Sequence, residues 1–83
     1  MNCNIKNRER VRRAAEAIRG CAPAISVDIL SPTESQYDQW TIDAVLEGRR
    51  GVPPAVLREL ALEGLTLQPT PSQSGVEHVA ATV

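Results

Sequence analysis

Two aspartates and a histidine are the residues whose types could do chemistry together. Asp28 and Asp43 each lie in an alternating apolar and polar run, and His78, the only histidine, lies in a third such run. On one sheet face they could bind a metal ion or act as an acid-base pair. No spacing in the sequence fixes the three together, and antiparallel sheets usually keep one face polar and hydrated. The sequence therefore favours a solvated surface for these residues. A small-ligand or metal sensor on this polar sheet face is the least favoured of the three interpretations of function that the sequence allows.

A basic amino-terminal segment is the second candidate site. Residues 1–13 contain one lysine and four arginines against a single acid, although the whole chain has a net charge of −1. Such an arm could contact nucleic-acid phosphates, whereas a helix face that pairs with an acidic body would be structural. The structural interpretation is favoured, and the alternative is an accessory nucleic-acid binder. Its contacts would be Lys6, Arg8, Arg10, Arg12, Arg13, Arg49 and Arg50.

Nothing in the sequence predicts catalysis. Gly48 to Gly51 holds the arginine pair but lacks the Gly-Lys-Ser/Thr ending of a phosphate-binding loop. Ser31 and Ser35 have no nearby histidine and no flanking glycines of a nucleophile elbow. Cys3 and Cys21 do not form a Cys-x-x-Cys pair, so neither zinc nor a redox motif is indicated. We expect no catalytic residue, no metal and no cofactor, with Cys21 buried and Cys3 a free thiol.

The first half of the chain predicts a helix and two strands. A helix is expected from about Arg8 to Arg19, capped by Asn7 and ended by Gly20. Ala24 to Leu30 alternates apolar and polar residues, with Ile25, Val27 and Ile29 facing one side. After the loop Ser31 to Gln36, the run Gln39 to Leu46 predicts a second strand. Its core face would hold Trp40, Ile42, Ala44 and Leu46.

The second half repeats this order at an offset of about 39 residues, which suggests an internal repeat of residues 8–46 and 53–83. A helix is expected from about Pro54 to Glu63, with Gly64 as a left-handed stop. Leu65 to Leu67 and Val76 to Val83 predict the last two strands. In the final strand we favour Val79, Ala81 and Val83 on the core side over Val76, His78 and Ala80.

These elements predict a single α+β domain over residues 1–83, with residues 1–6 frayed. The architecture is a two-layer sandwich in the order α-β-β-α-β-β, with two helices on one face of a four-stranded antiparallel sheet. Such an arrangement is ferredoxin-like or a circular permutation of it. The order of the strands stays open. The polar face would collect Ser26, Asp28, Thr41, Asp43, Thr66, Gln68, His78 and Thr82.

The chain also resembles small uncharacterised α/β proteins of salt-loving archaea. Arginine outnumbers lysine eight to one, and the body is acidic. The resemblance is based on two segments, Trp40 to Leu46 and Val52 to Arg58, and it extends over most of residues 11–83. It implies a scaffold, and it supplies no activity.

The expected function is therefore that of a non-enzymatic interaction module. No segment approaches a membrane span and the first twenty residues lack the apolar stretch of a signal peptide, so a cytoplasmic location is expected. Val76 to Val83 has no lysine or proline and has small apolar side chains on both faces. At a sheet edge, such a strand would pair with another chain. We expect a homodimer or a complex with a protein partner.

Overall fold

The predicted helices and strands are all present in the computed structural model, which describes residues 3–48, 51–71 and 75–83. The order is α-β-β-α-β-β, as predicted. The helices are α1 (Cys3–Cys21) and α2 (Pro54–Leu62), and the strands are β1 (Ala24–Leu30), β2 (Thr41–Glu47), β3 (Thr66–Gln68) and β4 (Val76–Thr82). In the described part of the chain, no helix is both long enough and apolar enough to cross a membrane.

The four strands form one antiparallel sheet in the order β1-β2-β4-β3. If β4 were moved to the start of the chain, the sequence of elements would be β-α-β-β-α-β, so the sheet is a circularly permuted ferredoxin-like plait. β4 therefore lies inside the sheet, between β2 and β3. The expectation of pairing through β4 depended on its lying at an edge, and this placement is wrong.

The core lies between the helices and one face of the sheet. Ile42, Ala44 and Leu46 of β2 are buried there, beside Val79 and Ala81 of β4. The favoured core face of the last strand is thereby confirmed. The apolar positions at helical spacing in α1, which are Val11, Ala14, Ala15 and Ile18, are all buried. Of the four such positions expected in α2, Val56 and Leu60 are buried, whereas Leu57 and Ala61 are exposed.

Helix α1 is longer than predicted. It begins at Cys3, so residues 3–6 are helical rather than frayed, and it runs through Gly20 to Cys21. Gly20 does not have a positive φ, because the helix continues to Cys21 and ends just before Pro23. The Asn7 side chain accepts a hydrogen bond from Arg10 instead of capping the helix. Cys21 is exposed, not buried as expected.

A β-bulge changes the faces of β1. Ala24 pairs with Leu46 and Ser26 pairs with Val45, which leaves Ile25 as the extra residue. Ile25 is 57% exposed, whereas Ala24 packs against the core in its place. The alternation of apolar and polar residues could not predict this exchange of faces, because in a bulge two residues of one strand lie opposite a single residue of its neighbour.

Trp40 is also less buried than expected. Because β2 begins at Thr41 rather than Gln39, Trp40 lies just outside the strand. It is half-buried and packs against the margin of the core.

Candidate functional site: a cavity on the polar sheet face

The polar face of the sheet, opposite the helices, is partly covered. Thr41 and Thr82 are each 1% exposed and Ala80 is 5% exposed, although all three lie on this face. The loop between β1 and β2 and the segment after β3 border an open cavity of about 430 Å³ here, which we call the outer-face cavity. Its lining residues are Leu30, Glu34, Ser35, Gln36, Tyr37, Thr41, Asp43, Pro69, Thr70, Pro71, His78 and Ala80.

The first wall of the cavity is built on a turn at Ser31. The amides of Glu34 and Ser35 donate to the Ser31 carbonyl at 3.0 and 2.9 Å. The Ser31 amide donates to Glu34 Oε1 at 2.9 Å, as in the second half of a capping box. This backbone hydrogen bond, together with one involving the Ser31 side chain, lowers the pKa of Glu34. Glu34 therefore lines the cavity as a carboxylate at neutral pH.

A chain of hydrogen bonds joins this wall to the sheet. The Tyr37 amide donates to Ser35 Oγ at 3.1 Å, and Ser35 Oγ lies 2.7 Å from Thr41 Oγ1. Thr41 Oγ1 in turn donates to the Gln39 carbonyl at 2.7 Å. Because Thr41 has one hydroxyl proton, Ser35 must be the donor in the bond between the two hydroxyls. Burial of Ser35 and Thr41 makes this chain the link that holds the loop on the sheet.

The opposite wall follows β3. Thr70 Oγ1 donates to the His78 carbonyl at 2.9 Å, and Gln68 Nε2 donates to Thr82 Oγ1 at 3.0 Å. The first bond ties the segment after β3 to the neighbouring strand β4, and the second joins the last residue of β3 to β4. Pro69 and Pro71, on either side of Thr70, give this wall an apolar surface.

Asp43 and His78 form a hydrogen-bonded pair in the cavity. Asp43 lies opposite Ala80, and Val45 lies opposite His78, so the two residues are diagonal neighbours on adjacent strands. His78 Nε2 contacts Asp43 Oδ1, and the two side chains are 21% and 37% exposed. His78 Nδ1 is buried, and no residue in the described part of the chain is its hydrogen-bond partner. The structure therefore brings together Asp43 and His78, two of the three residues that no spacing in the sequence connects.

Asp28 does not complete a metal site. It lies directly opposite Asp43 on β1, but it is exposed and does not line the cavity. Among residues 3–48, 51–71 and 75–83, no three histidine, cysteine or acidic side chains are placed to hold a metal ion. The metal part of the sensor interpretation therefore has no ligand set among these residues.

The arginines of α1 are largely engaged within the protein. Arg10 Nε and Nη2 donate to the carbonyls of Glu63 and Gly64 at 2.8 and 2.9 Å. Those carbonyls lie at the end of α2, where the helix dipole favours a cation. Arg13 bonds to the Glu63 carboxylate at 3.0 Å. Arg10 and Arg13 therefore join the two helices.

Other basic residues on α1 are also bonded. Arg12 forms ion pairs with Glu9 and Glu16 at 2.7 and 3.1 Å, and its hydrogen bond lowers the pKa of Glu9. Arg19 Nη2 donates to the Val27 carbonyl at 2.8 Å. Lys6 and Arg8 are exposed. Arg49 and Arg50, the remaining candidates for nucleic-acid contact, lie outside the described residues.

Several cavity residues could not be identified from the sequence. Ser35, Tyr37, Thr41 and Thr70 have the pattern of loop or surface residues, and only the Asp43 and His78 side chains stand out as candidates. One local signal was available, since Ser31-x-x-Glu34 has the spacing of a capping box. It predicts an ordered turn but not the surface that the turn covers.

No family model matches the chain, and comparisons with curated proteins and with solved structures find no similar protein. What the protein does therefore has to be argued from the cavity and its side chains.

Proposed function

We propose that this protein is a non-enzymatic module that binds a small polar ligand in the outer-face cavity. The observation that carries the proposal is that two loops turn part of a sheet face into an open concave site around a hydrogen-bonded Asp43 and His78. The volume of about 430 Å³ lies within the range typical of small-molecule sites. Apolar walls with a few fixed polar groups are also typical of such sites.

The hydrogen bonds of Ser35 support a binding role over a catalytic one. Ser35 and His78 line the same cavity. A serine and a histidine are the residue types that could act as a nucleophile and its general base. However, the Ser35 proton is donated to Thr41, and the imidazole Nε2 contacts Asp43. An activated serine would need its proton directed at the imidazole.

The two other interpretations have less support. Self-association was expected from a final strand at the sheet edge, and β4 lies inside the sheet. Nucleic-acid binding was expected from unpaired arginines, and Arg10, Arg12 and Arg13 already bond to acceptors in this chain. Each phosphate contact by these side chains would therefore have to replace an existing bond.

The proposal can be tested by closing the cavity. Ala80 lies on the cavity floor with its small side chain buried, so Ala80→Leu adds bulk there without removing a polar group. Val45→Leu is the matched control, because Val45 lies on the same face and does not line the cavity. A library of small polar compounds would be titrated into ¹⁵N-labelled protein and followed by amide chemical shifts.

We expect binders to shift the amides of Tyr37, Thr41 and His78 in the native protein and in Val45→Leu, but not in Ala80→Leu. All three proteins must show the same circular dichroism spectrum. Binding that persists in Ala80→Leu, or that shifts amides elsewhere, would reject the cavity as the ligand site.

A further inference from the structure

Four of the hydrogen-bond donors that line the outer-face cavity are already used. The hydroxyl proton of Ser35 goes to Thr41, that of Thr41 goes to the Gln39 carbonyl, and that of Thr70 goes to the His78 carbonyl. His78 directs its Nε2 at the Asp43 carboxylate. Three hydroxyls and an imidazole N–H therefore line the cavity without a proton to offer to a ligand, whereas the Gln36 amide and the Tyr37 hydroxyl are further side-chain donors in the described lining.

The acceptors of the cavity are not used to the same extent. A carboxylate has two oxygens and about four lone-pair sites, and Asp43 receives the imidazole at Oδ1. Glu34 receives the Ser31 amide at Oε1 and stays ionised at neutral pH, because hydrogen bonds from Ser31 lower its pKa. The free lone pairs of the two carboxylates can therefore accept hydrogen bonds from a ligand that carries donors.

Apart from His78, which is charged only when protonated, the charged groups of the described lining have one sign. Asp43 and Glu34 are acidic, and none of the described lining residues is a lysine or an arginine. The rest of the surface includes Tyr37, Pro69 and Pro71, which can pack against an apolar group. An aromatic ring such as that of Tyr37 also attracts a cation over its face.

We infer that the ligand of this cavity is a small organic cation, with an ammonium group that donates to Asp43 and an apolar part against the proline and tyrosine walls. This inference rests on the proposed function, since it specifies what the same site binds. An anion would face two carboxylates with few donors to bond it. A neutral alcohol could donate only one hydrogen bond and would gain nothing from the charge.

Three probes of nearly the same shape separate these ligand classes. Benzylamine is a cation at pH 7, benzyl alcohol is neutral and benzoate is an anion. Each would be titrated into the native protein, Asp43→Asn and Asp28→Asn, with amide chemical shifts as the readout. Asp28→Asn is a closely matched control, because Asp28 is the cross-strand neighbour of Asp43, loses the same charge and lies outside the cavity.

We expect benzylamine to bind at least about tenfold more tightly than benzyl alcohol, which corresponds to one favourable charged contact, and benzoate to bind most weakly. Asp43→Asn should remove this preference for the amine, and Asp28→Asn should retain it. Added salt should weaken the binding of benzylamine but not that of benzyl alcohol.

The failure of this inference differs from the failure of the proposed function. If benzyl alcohol or benzoate shifts the cavity amides at lower concentration than benzylamine, the cavity is a ligand site and the inferred cation is wrong. A preference for the amine that survives in Asp43→Asn also overturns the inference. If none of the three probes shifts the cavity amides at millimolar concentration, the inference is overturned together with the small-ligand function.

Discussion

The contact between Arg10 and Gly64 gives the sharpest test of whether the arginines of α1 are structural. Gly64 has a φ of +70°, and a Cβ at this position would lie 2.6 Å from Arg10 Nη2. Gly64→Ala would therefore force a left-handed alanine and displace the guanidinium that bonds to the Glu63 and Gly64 carbonyls. Both changes act at the junction of α1 and α2.

The expected cost can be worked from these two effects. A left-handed conformation costs roughly 1 to 2 kcal/mol for a residue with a Cβ. The two partly exposed hydrogen bonds of Arg10 contribute about 1 kcal/mol each, which gives a total of about 3 to 4 kcal/mol for Gly64→Ala. A domain of this length has a free energy of unfolding of about 4 to 12 kcal/mol, so the effect is a large share.

A double-mutant cycle separates the two effects. In an Arg10→Ala background the guanidinium is absent, so Gly64→Ala should cost only the conformational strain of about 1 to 2 kcal/mol. Gly20→Ala is the matched control, since Gly20 is helical and a methyl group added there would have no neighbour within 4 Å. It should be neutral or stabilise the protein by roughly 0.5 to 1 kcal/mol.

The measurement is urea unfolding followed by far-ultraviolet circular dichroism. Equal costs for Gly64→Ala in both backgrounds would refute the coupling and leave Arg10 available for another role. A coupling of about 2 kcal/mol would instead mean that Arg10 holds α1 on α2, and that nucleic acid could reach it only by disrupting this junction.

Three further changes test the cavity and the sheet. Ser35→Ala removes a buried acceptor of the Tyr37 amide and the donor to Thr41, so we expect a loss of roughly 1 to 3 kcal/mol in urea unfolding and faster exchange of the Tyr37 amide. Because the pKa of Glu34 is lowered, the stability that its carboxylate adds to the fold is fully present above the ordinary pKa of 4.5. This stability is lost as the pH falls through the lowered pKa. In an acid titration the Ser31 amide shift should therefore have its midpoint below 4.5, and a midpoint at or above 4.5 would contradict the hydrogen bond. Ala81→Pro lies between Ile42 and Leu67 in the sheet, so it should destabilise the fold by on the order of 3 kcal/mol, and a well-folded monomer would contradict the interior position of β4.

Properties that depend on local periodicity could be predicted from the sequence. In β4 two-residue alternation separates Val79 and Ala81 from His78 and Ala80, and the set that we favoured, Val79 and Ala81, lies in the core between the helices and the sheet. The buried stripe of α1 follows from spacing in the same way, and so do Val56 and Leu60 of α2. Each of these inferences needs only the residues of one element.

The two glycines that follow the helix stripes show where local pattern is insufficient. At Gly64 the chain turns, with Leu65 donating to the Leu60 carbonyl and Gly64 donating to the Ala61 carbonyl, as in a Schellman motif. Leu65 and Leu60 are both buried, and this burial stabilises the turn. At Gly20 the chain stays helical as far as Cys21. The same residue type in the same pattern therefore has two conformations, and the contacts after it decide between them.

The pair of Asp43 and His78 could not be predicted, because it depends on strand order. The two residues are 35 positions apart, and they meet only because β2 lies next to β4. Periodicity places each side chain on the polar face but does not say which strands are neighbours. The same limit applies to the cavity, whose walls come from two loops that are joined to different strands.

The strand order also explains why β4 has small apolar residues on both faces. Small apolar side chains on both faces, with no lysine or proline, would leave a strand unprotected if it lay at an edge. In the structure Val79, Ala80, Ala81 and Thr82 are buried on both faces, which is what an interior strand beneath a covering loop requires.

The actual edges are protected in other ways. On β1, Arg19 bonds to the Val27 carbonyl and the bulge lies at Ile25, and both features hinder pairing with another strand. β3 has only three residues, and a very short edge strand offers little to pair with. Apolar residues on both faces of a strand therefore indicate a central position here, because both edge strands have features that hinder pairing and β4 has none.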